Sequence, residues 1–237
     1  MALYTIFSLP IDLMNVIINE FNILALIDKL YLLASCKTFL NQIKIYRLQS
    51  DLIGDNALQQ IKYSHVNNLN ISFNDNIKTI SHLSNLTTLD IAFVNNIEAN
   101  SLANMSKLLS LNIQGFSNIE NITHLTSLTK LRLTHSMFQY HIISTLTNLT
   151  KLDITDNETT ISIKNLTNIT YLRMMNTKIT DNNNLSLLSN LTFLDIRGTN
   201  VKQVNIEKLY SLTELYAPTR LNFSHLTNLR TLNELHI

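Results

Sequence analysis

Leucine-type residues fall on a regular beat from Val66 onward. The phrase L-x-x-L-x-[LI], usually led by [LS]-[TS]-x-[LI]-T, returns at a spacing of about 21 residues, the length of a short structural repeat. Its first apolar position is Val66, Leu86, Leu108, Leu128, Leu149, Ile169, Leu191 and Leu212, with a fainter copy at Leu232. Every interval keeps to that beat within one residue either way. A repeat of that length marks a solenoid, in which each unit is too small to bury its apolar face alone and gains its core from its neighbours.

The clearest copy is L-T-K-L-D-I-T-D-N, Leu149 to Asn157. Leu152 and Ile154 alternate with Lys151, Asp153 and Thr155, the period of a short strand with one apolar face. Stacked copies predict a parallel sheet with inner columns Leu89/Ile91, Leu111/Ile113, Leu131/Leu133, Leu152/Ile154, Leu172/Met174 and Leu194/Ile196. About ten residues remain for the return of each coil, which predicts extended or 3₁₀-like segments there. Eight strand intervals of about 4.8 Å predict a sheet roughly 40 Å along its stack.

The outward strand positions carry the functional question. They read Thr88, Asp90, Ala92; Ser110, Asn112, Gln114; Lys130, Arg132, Thr134; Lys151, Asp153, Thr155; Tyr171, Arg173, Met175; Phe193, Asp195, Arg197; Glu214, Tyr216, Pro218. The first rows are small and polar. The later rows gather Tyr and Arg, the residue types that dominate binding hot spots. Phe193 has no fold reason to be apolar where it stands. A target-binding patch is therefore expected at Arg132, Asp153, Tyr171, Arg173, Met175, Phe193, Asp195, Arg197 and Tyr216. The competing expectation is an ordinary solvated face, with ion pairs such as Arg173 with Asp153 or Asp195.

The pattern from Val66 to the last residue resembles the leucine-rich repeat, L-x-x-L-x-L-x-x-N. LTNLTKLDITDN and LSNLTTLDI resemble the short repeats of internalin-like and phosphatase-regulator-like families. The resemblance implies an α/β solenoid, a horseshoe with a parallel concave sheet of about eight to nine repeats over residues 66–237. It also implies a ladder of asparagines, matched here by Asn74 and Asn157. The same position elsewhere holds Val94, Phe116, Ser136, Thr177, Thr199 and Arg220. Thr and Ser replace Asn in part; Val and Phe cannot.

The beat is missing before Val66. Pro10 precedes an apolar helical pattern of Leu13, Ile17 and Phe21, with Asp12 in the first turn, which is a good helix start. Leu26, Leu30, Leu33, Phe39 and Ile43 continue the apolar pattern. This stretch resembles the F-box: Leu9 and Pro10 match its opening, Asp12 and Leu13 follow, Ile17, Ile18 and Phe21 match its first helix. Leu30, Leu33, Cys36, Lys37, Phe39 and Ile43 match its end. The span from Pro10 to Cys36 is about three residues longer than the family's. The resemblance implies a small helical module over residues 1–45 that docks on a Skp1-like adaptor and its cullin complex, with Leu9, Pro10, Leu13, Ile17 and Ile18 as anchors. Residues 46–65 would join the parts, with a helix at Asp51 to Tyr63. The alternative is a plain helical cap over the first coil's open edge, which solenoids need.

Composition narrows the field. The formal net charge is +1, from 18 Lys and Arg against 17 Asp and Glu. That is no basic footprint, so nucleic acid is not an expected partner. Asparagine is abundant and does much of the polar work. Cys36 is the single cysteine, so the chain forms no internal disulfide. The first residues lack a basic run ahead of their apolar stretch, and Ile6 to Leu33 is broken by Asp12, Asn15, Asn19, Glu20, Asn22, Asp28 and Lys29. An intracellular protein, cytoplasmic or nuclear, with no membrane span is expected. N-x-[ST] at Asn85, Asn121, Asn148, Asn165, Asn190 and Asn222 follows from a repeat that spells L-T-N-L-T, not from glycosylation. No Walker loop, HExxH, CxxC or Gly-rich dinucleotide turn occurs. His82, His124 and His225 recur at one place in the repeat. Neither catalysis nor a cofactor is expected.

The first functional expectation is a substrate receptor of an SCF-type ubiquitin ligase: the module at 1–45 holds the adaptor and the repeat face holds a target protein. The second is a stand-alone repeat scaffold, phosphatase-regulator-like, with a helical cap. An internalin-like surface adhesin needs a secretion signal, which the first residues do not resemble. The last repeat has two registers. One repeats SHLSNLTTLDI at Ser224 to Glu234, shortens the final interval and turns Glu234 inward. The other keeps the regular interval and puts Leu235 and Ile237 inside. The second is preferred, because it keeps the charge out of the core.

Overall fold

The computed structural model describes residues 47–49 and 66–235, apart from 116–121, 136–139, 158–159, 161, 164, 180–181 and 203–205. The expected adaptor-binding module at 1–45 and the helix at Asp51 to Tyr63 lie outside the described residues.

Among the described residues, ten strands form one parallel sheet in strict chain order. They are β1 (Arg47–Gln49), β2 (Asn68–Asn70), β3 (Thr88–Asp90), β4 (Ser110–Asn112), β5 (Lys130–Arg132), β6 (Lys151–Asp153), β7 (Tyr171–Arg173), β8 (Phe193–Asp195), β9 (Glu214–Pro218) and β10 (Thr231–Leu235). From β2 to β9 the strands follow the beat of the sequence. Leu69, Leu89, Leu111, Leu131, Leu152, Leu172, Leu194 and Leu215 sit side by side as register partners. They are buried, and so are Ile71, Ile91, Ile113, Leu133, Ile154, Met174, Ile196 and Ala217 two residues on. The predicted inner columns are therefore the core.

Among the described residues the return segments hold turns and two 3₁₀ stretches, Tyr140–Thr145 and Asn182–Leu187. No α-helix occurs among the described residues, so this part is a β-solenoid rather than the expected α/β one. The reason is length: the short return leaves no room for a helix of useful size.

The phrase L-T-N-L-T has a structural cause. Its second Thr donates from Oγ1 to a carbonyl of the preceding coil at Thr87, Thr129, Thr150, Thr170, Thr192 and Thr213, at 3.0–3.2 Å. The same carbonyl accepts two backbone N–H groups, as Asn67 O does from Thr87 and Thr88 at 2.8 and 2.9 Å. The Asn of the phrase donates across the return side: Asn148 to Thr126 O, Asn168 to Thr147 O and Asn190 to Thr167 O. Those asparagines tie coil to coil, which explains their recurrence without glycans.

The ladder position after the strand is uneven. Asn157 Nδ2 donates to Leu133 O in the preceding coil and to Ile154 O in its own. Thr177 Oγ1 reaches back to Ile154 O at 2.7 Å, whereas Thr199 reaches only Ile196 O of its own coil. Arg220 substitutes by length: its Nη2 donates to Thr199 O and Val201 O. Val94 fills the position with buried apolar surface. Phe116 and Ser136 lie outside the described residues.

Two expectations change. Arg47–Gln49, placed by sequence in a connecting segment, is a strand paired with β2 through Leu48 and Leu69. Leu48 stands one beat ahead of Leu69, so the sheet includes a strand ahead of the recognisable phrase. At the other end, Leu232 pairs with Leu215 and Thr231 with Glu214, which is the shortened register. The preferred register, with its regular interval, is overturned. Arg230 and Thr231 donate their N–H groups to Thr213 O at 2.8 and 3.1 Å, repeating the coil-to-coil bonds of the earlier copies. The rising segment thus keeps its hydrogen bonds, and the turn before it is the part that shortens. Leu229, not Leu232, takes the packed leading position, and Leu232 is 44% exposed.

Candidate binding face of the sheet

The sheet face away from the core displays two columns of side chains along the strands, with a third just past their ends. From β2 to β8 each strand offers its first and third residues outward because the middle one is buried, and the first three residues of β9 do the same. The first column runs Thr88, Ser110, Lys130, Lys151, Tyr171, Phe193 and Glu214 across neighbouring strands. The second runs Asp90, Asn112, Arg132, Asp153, Arg173, Asp195 and Tyr216.

Tyr171 and Phe193 stack with ring centroids 4.1 Å apart and planes 10° apart. Phe193 meets Tyr216 at 5.6 Å in a tilted contact. Arg197 lies over the Tyr216 ring at 5.1 Å, a cation–π distance. All three rings are half-buried. Each aromatic contact contributes about 0.5–1.5 kcal/mol beyond its buried area. Burial by its neighbours pushes the Tyr171 phenol above its ordinary value, so it stays protonated at neutral pH.

Two acids of the second column, Asp153 and Asp195, do not face a partner freely. Asp195 is 1% exposed and lies beneath two arginines. Its Oδ1 accepts from the Arg197 backbone N–H and Nε, and its Oδ2 from Arg197 Nη2 at 2.7 Å. Arg173 Nε approaches the same Oδ2 at 3.4 Å. The hydrogen bond to Asp195 holds the Arg197 guanidinium above its usual range, so it remains charged. Asp153 is also buried; its Oδ1 accepts from Thr155 N and its Oδ2 from Arg132 Nε at 3.1 Å. Both carboxylates thus turn their own backbone and aim an arginine. Of the sequence-selected set, Asp153 and Asp195 support the face from below. Tyr171, Arg173, Met175, Phe193, Arg197 and Tyr216 are half-buried and Arg132 is exposed. Of the two pairings weighed for Arg173, the structure has Asp195. Thr134 and Thr155, outward by alternation, are buried at the strand ends.

A shallow groove of about 300 Å³ opens on this face, lined by Ser110, Asn112, Lys130, Arg132, Lys151, Asp153 and Tyr171 among others. Lys130 and Lys151 are exposed register partners in it. Lys151 Nζ stands 6.0 Å from the centre of the Tyr171 ring, at the outer edge of cation–π range. The two lysines were visible in the sequence, but their sharing of one groove with Tyr171 was not.

A second feature escaped the sequence reading. Phe73, Phe93, Gly115, His135, Asp156, Asn176 and Gly198 all take left-handed φ of 53–67° at one turn position. Gly suits that region; a bulky ring does not. Phe73 and Phe93 are nevertheless there, exposed, and stacked at 4.9 Å. A Cβ on Gly115 would lie 2.6 Å from the Phe93 ring, so this glycine leaves room for that ring. Further along, His135 approaches Asp156 at 3.6 Å and Asn176 donates to Asp156 at 2.7 Å.

Among the described residues no group of three or more His, Cys, Asp or Glu is placed to hold a metal ion. No described helix is long and apolar enough to cross a membrane. His124 and His225 contact carbonyls of the preceding coil, Leu102 O and Ile206 O, at 2.9 and 3.4 Å.

The fold is that of a leucine-rich-repeat solenoid. It is similar to an internalin (inlF) of Listeria monocytogenes, with TM-score 0.58 and 21% identity over 76% of this chain and 65% of that one. It is equally similar to a leucine-rich-repeat protein of Leptospira interrogans, with TM-score 0.58 and 22% identity over 79% of this chain and 58% of that one. InlP of Listeria monocytogenes gives TM-score 0.58 and 20% identity over 83% of this chain and 62% of that one. The chain spans less than two thirds of each of these proteins. No protein-family model matches the chain, and no curated protein does.

Proposed function

We propose that this protein is a non-catalytic binding scaffold, and that the outer sheet face around Tyr171, Phe193, Arg197 and Tyr216 holds one partner protein. The observation that carries this is the stacked run of rings on a face the core does not need. The same columns hold Thr88, Ser110 and Asn112 in earlier strands, so the architecture stands without rings there. A rigid aromatic surface with an oriented arginine is the make-up of a binding hot spot. Asp195 fixes Arg197 before any partner arrives, which lowers the ordering cost of binding.

The test is crosslinking and affinity capture with the full chain in its native cells, against a Phe193→Ala/Tyr216→Ala variant. Loss of a specific captured protein, with circular dichroism and melting little changed, supports the reading. Equal capture by both forms sinks it.

The sequence of residues 9–43 favours a second reading, in which an F-box-like segment delivers the bound partner to a ubiquitin ligase through a Skp1-like adaptor. Proximity of that kind raises effective concentration without any chemistry by the scaffold. Leu9→Ala/Pro10→Ala should abolish co-purification with a Skp1-type protein while the repeats stay folded. Without adaptor binding by the intact chain, the stand-alone scaffold is the remaining reading, phosphatase-regulator-like binding included. Deleting residues 1–45 then asks whether that segment caps the repeats: their unfolding says that it does.

A further inference from the structure

The first outward column changes chemistry in a fixed order along the sheet. After Thr88 and Ser110 come Lys130 and Lys151, then Tyr171 and Phe193, then Glu214. Other cations on this face are matched: Arg132 by Asp153, Arg173 and Arg197 by Asp195. Lys130, Lys151 and Glu214 are exposed and form no ion pair among the described residues. Like charges set directly opposite across two strands oppose the pairing of the sheet. The lysine pair therefore does not serve the fold, and it borders the groove that reaches Tyr171.

We infer that this column binds one extended segment of a partner protein with a defined order of side chains. Acidic residues lie on Lys130 and Lys151, an apolar or proline ring lies on Tyr171 and Phe193, and a lysine or arginine meets Glu214. The inference rests on the protein-binding reading above and adds the partner's sequence character. From Lys130 to Glu214 there are four strand spacings. That is about 19 Å, the length of roughly six extended residues. A single polyanion such as nucleic acid fits less well, because Glu214 stands in the column with the wrong charge and the chain carries only +1 overall.

The test is selection of random twelve-residue peptides displayed on phage by the full chain. Enriched peptides should place Asp or Glu a few residues from an aromatic or proline, with Lys or Arg beyond it. Lys130→Glu/Lys151→Glu should lose the acidic preference or reverse it. A synthetic peptide from the wild-type selection should bind that variant about ten-fold or more weakly, and the wild-type chain should hold it less tightly as salt rises. Lys130→Arg/Lys151→Arg should keep the acidic preference, which separates a charge effect from damage to the fold. Enrichment with no charge order, or an acidic preference that survives Lys130→Glu/Lys151→Glu, overturns the inference and leaves the scaffold reading standing. No enrichment of any peptide, together with equal capture by Phe193→Ala/Tyr216→Ala, overturns both. Binding of a labelled single-stranded DNA oligonucleotide, or self-association, that the charge reversal abolishes assigns the lysines to another occupant and overturns it as well.

Discussion

Strands β3–β4 and β7–β9 share one interior and differ on the outside. Leu89 and Leu111 occupy the same buried place as Leu172, Leu194 and Leu215. Outside, the early strands present Thr88, Asp90, Ser110 and Asn112, and the late ones stack Tyr171 and Phe193 beside Tyr216 and the buried Asp195. In a solenoid the interior must repeat because each coil packs on the next, whereas the outer columns are free to vary. The early strands show what the fold requires of that face, and the late strands show what has been added.

Substitution in the interior should break the two halves alike. Leu111→Ala and Leu194→Ala should each cost about 2–5 kcal/mol, read as a fall in urea midpoint. A split transition or a lowered m-value in either variant would mean that the halves do not share one cooperative core.

The carboxylates should separate the halves. Asp195→Ala removes a buried partner from Arg173 and Arg197 and should cost about 1–3 kcal/mol. Asp90→Ala, at the matching place, removes an acceptor for Ala92 N and should cost about 0.5–1.5 kcal/mol. Chemical denaturation of both variants measures the difference, and equal costs would show that the arginines gain nothing from Asp195.

A smaller effect sharpens the contrast from the early side. Phe73→Asn relieves a ring held at φ 61° and gives up one exposed stack. A net gain of a few tenths of a kcal/mol is expected, since Asn tolerates the left-handed region. A melting scan that shows a clear loss would mean the Phe73–Phe93 stack outweighs the backbone strain.

The smallest effect is a titration. Tyr171 should ionise above the ordinary tyrosine value, chiefly through burial, and Arg173 opposes that rise. Ultraviolet titration against Tyr171→Phe isolates it, and Arg173→Gln should move it higher still. The sign for stability follows: the folded state keeps the proton longer than the unfolded one, so this contribution is present below pH ~10 and is lost as pH rises through the folded value.

Much of the fold was legible because burial on a two-residue period repeats at a fixed interval. Leu152 and Ile154 announce their side of the sheet without help from any neighbour. The last register was misread, because the regular interval and the wish to keep Glu234 out of the core both favoured the alignment that the structure does not have. Hydrogen bonds from Arg230 and Thr231 to Thr213 decided it. Arg47–Gln49 was missed since so short a strand carries too little pattern outside the phrase. On the outer face, alternation pointed Asp153 and Asp195 away from the core correctly and offered Asp195 as one of two partners for Arg173, yet it did not show that both acids would be buried or that Arg132 and Arg197 would pair with them. Phe73 and Phe93 hid for another reason: their rings contradict the backbone they adopt, so no propensity argument leads there.

The sequence by itself determined the beat, the inner columns and the parallel stacking, because each follows from local alternation multiplied by a period. Only the tertiary structure decided which outward charges are matched and which stand alone. Arg132 and Arg173 lie a whole repeat away in sequence from the acids that match them, yet only one strand away in space. Their pairing depends on the register between neighbouring coils, which the alternation within one coil does not carry.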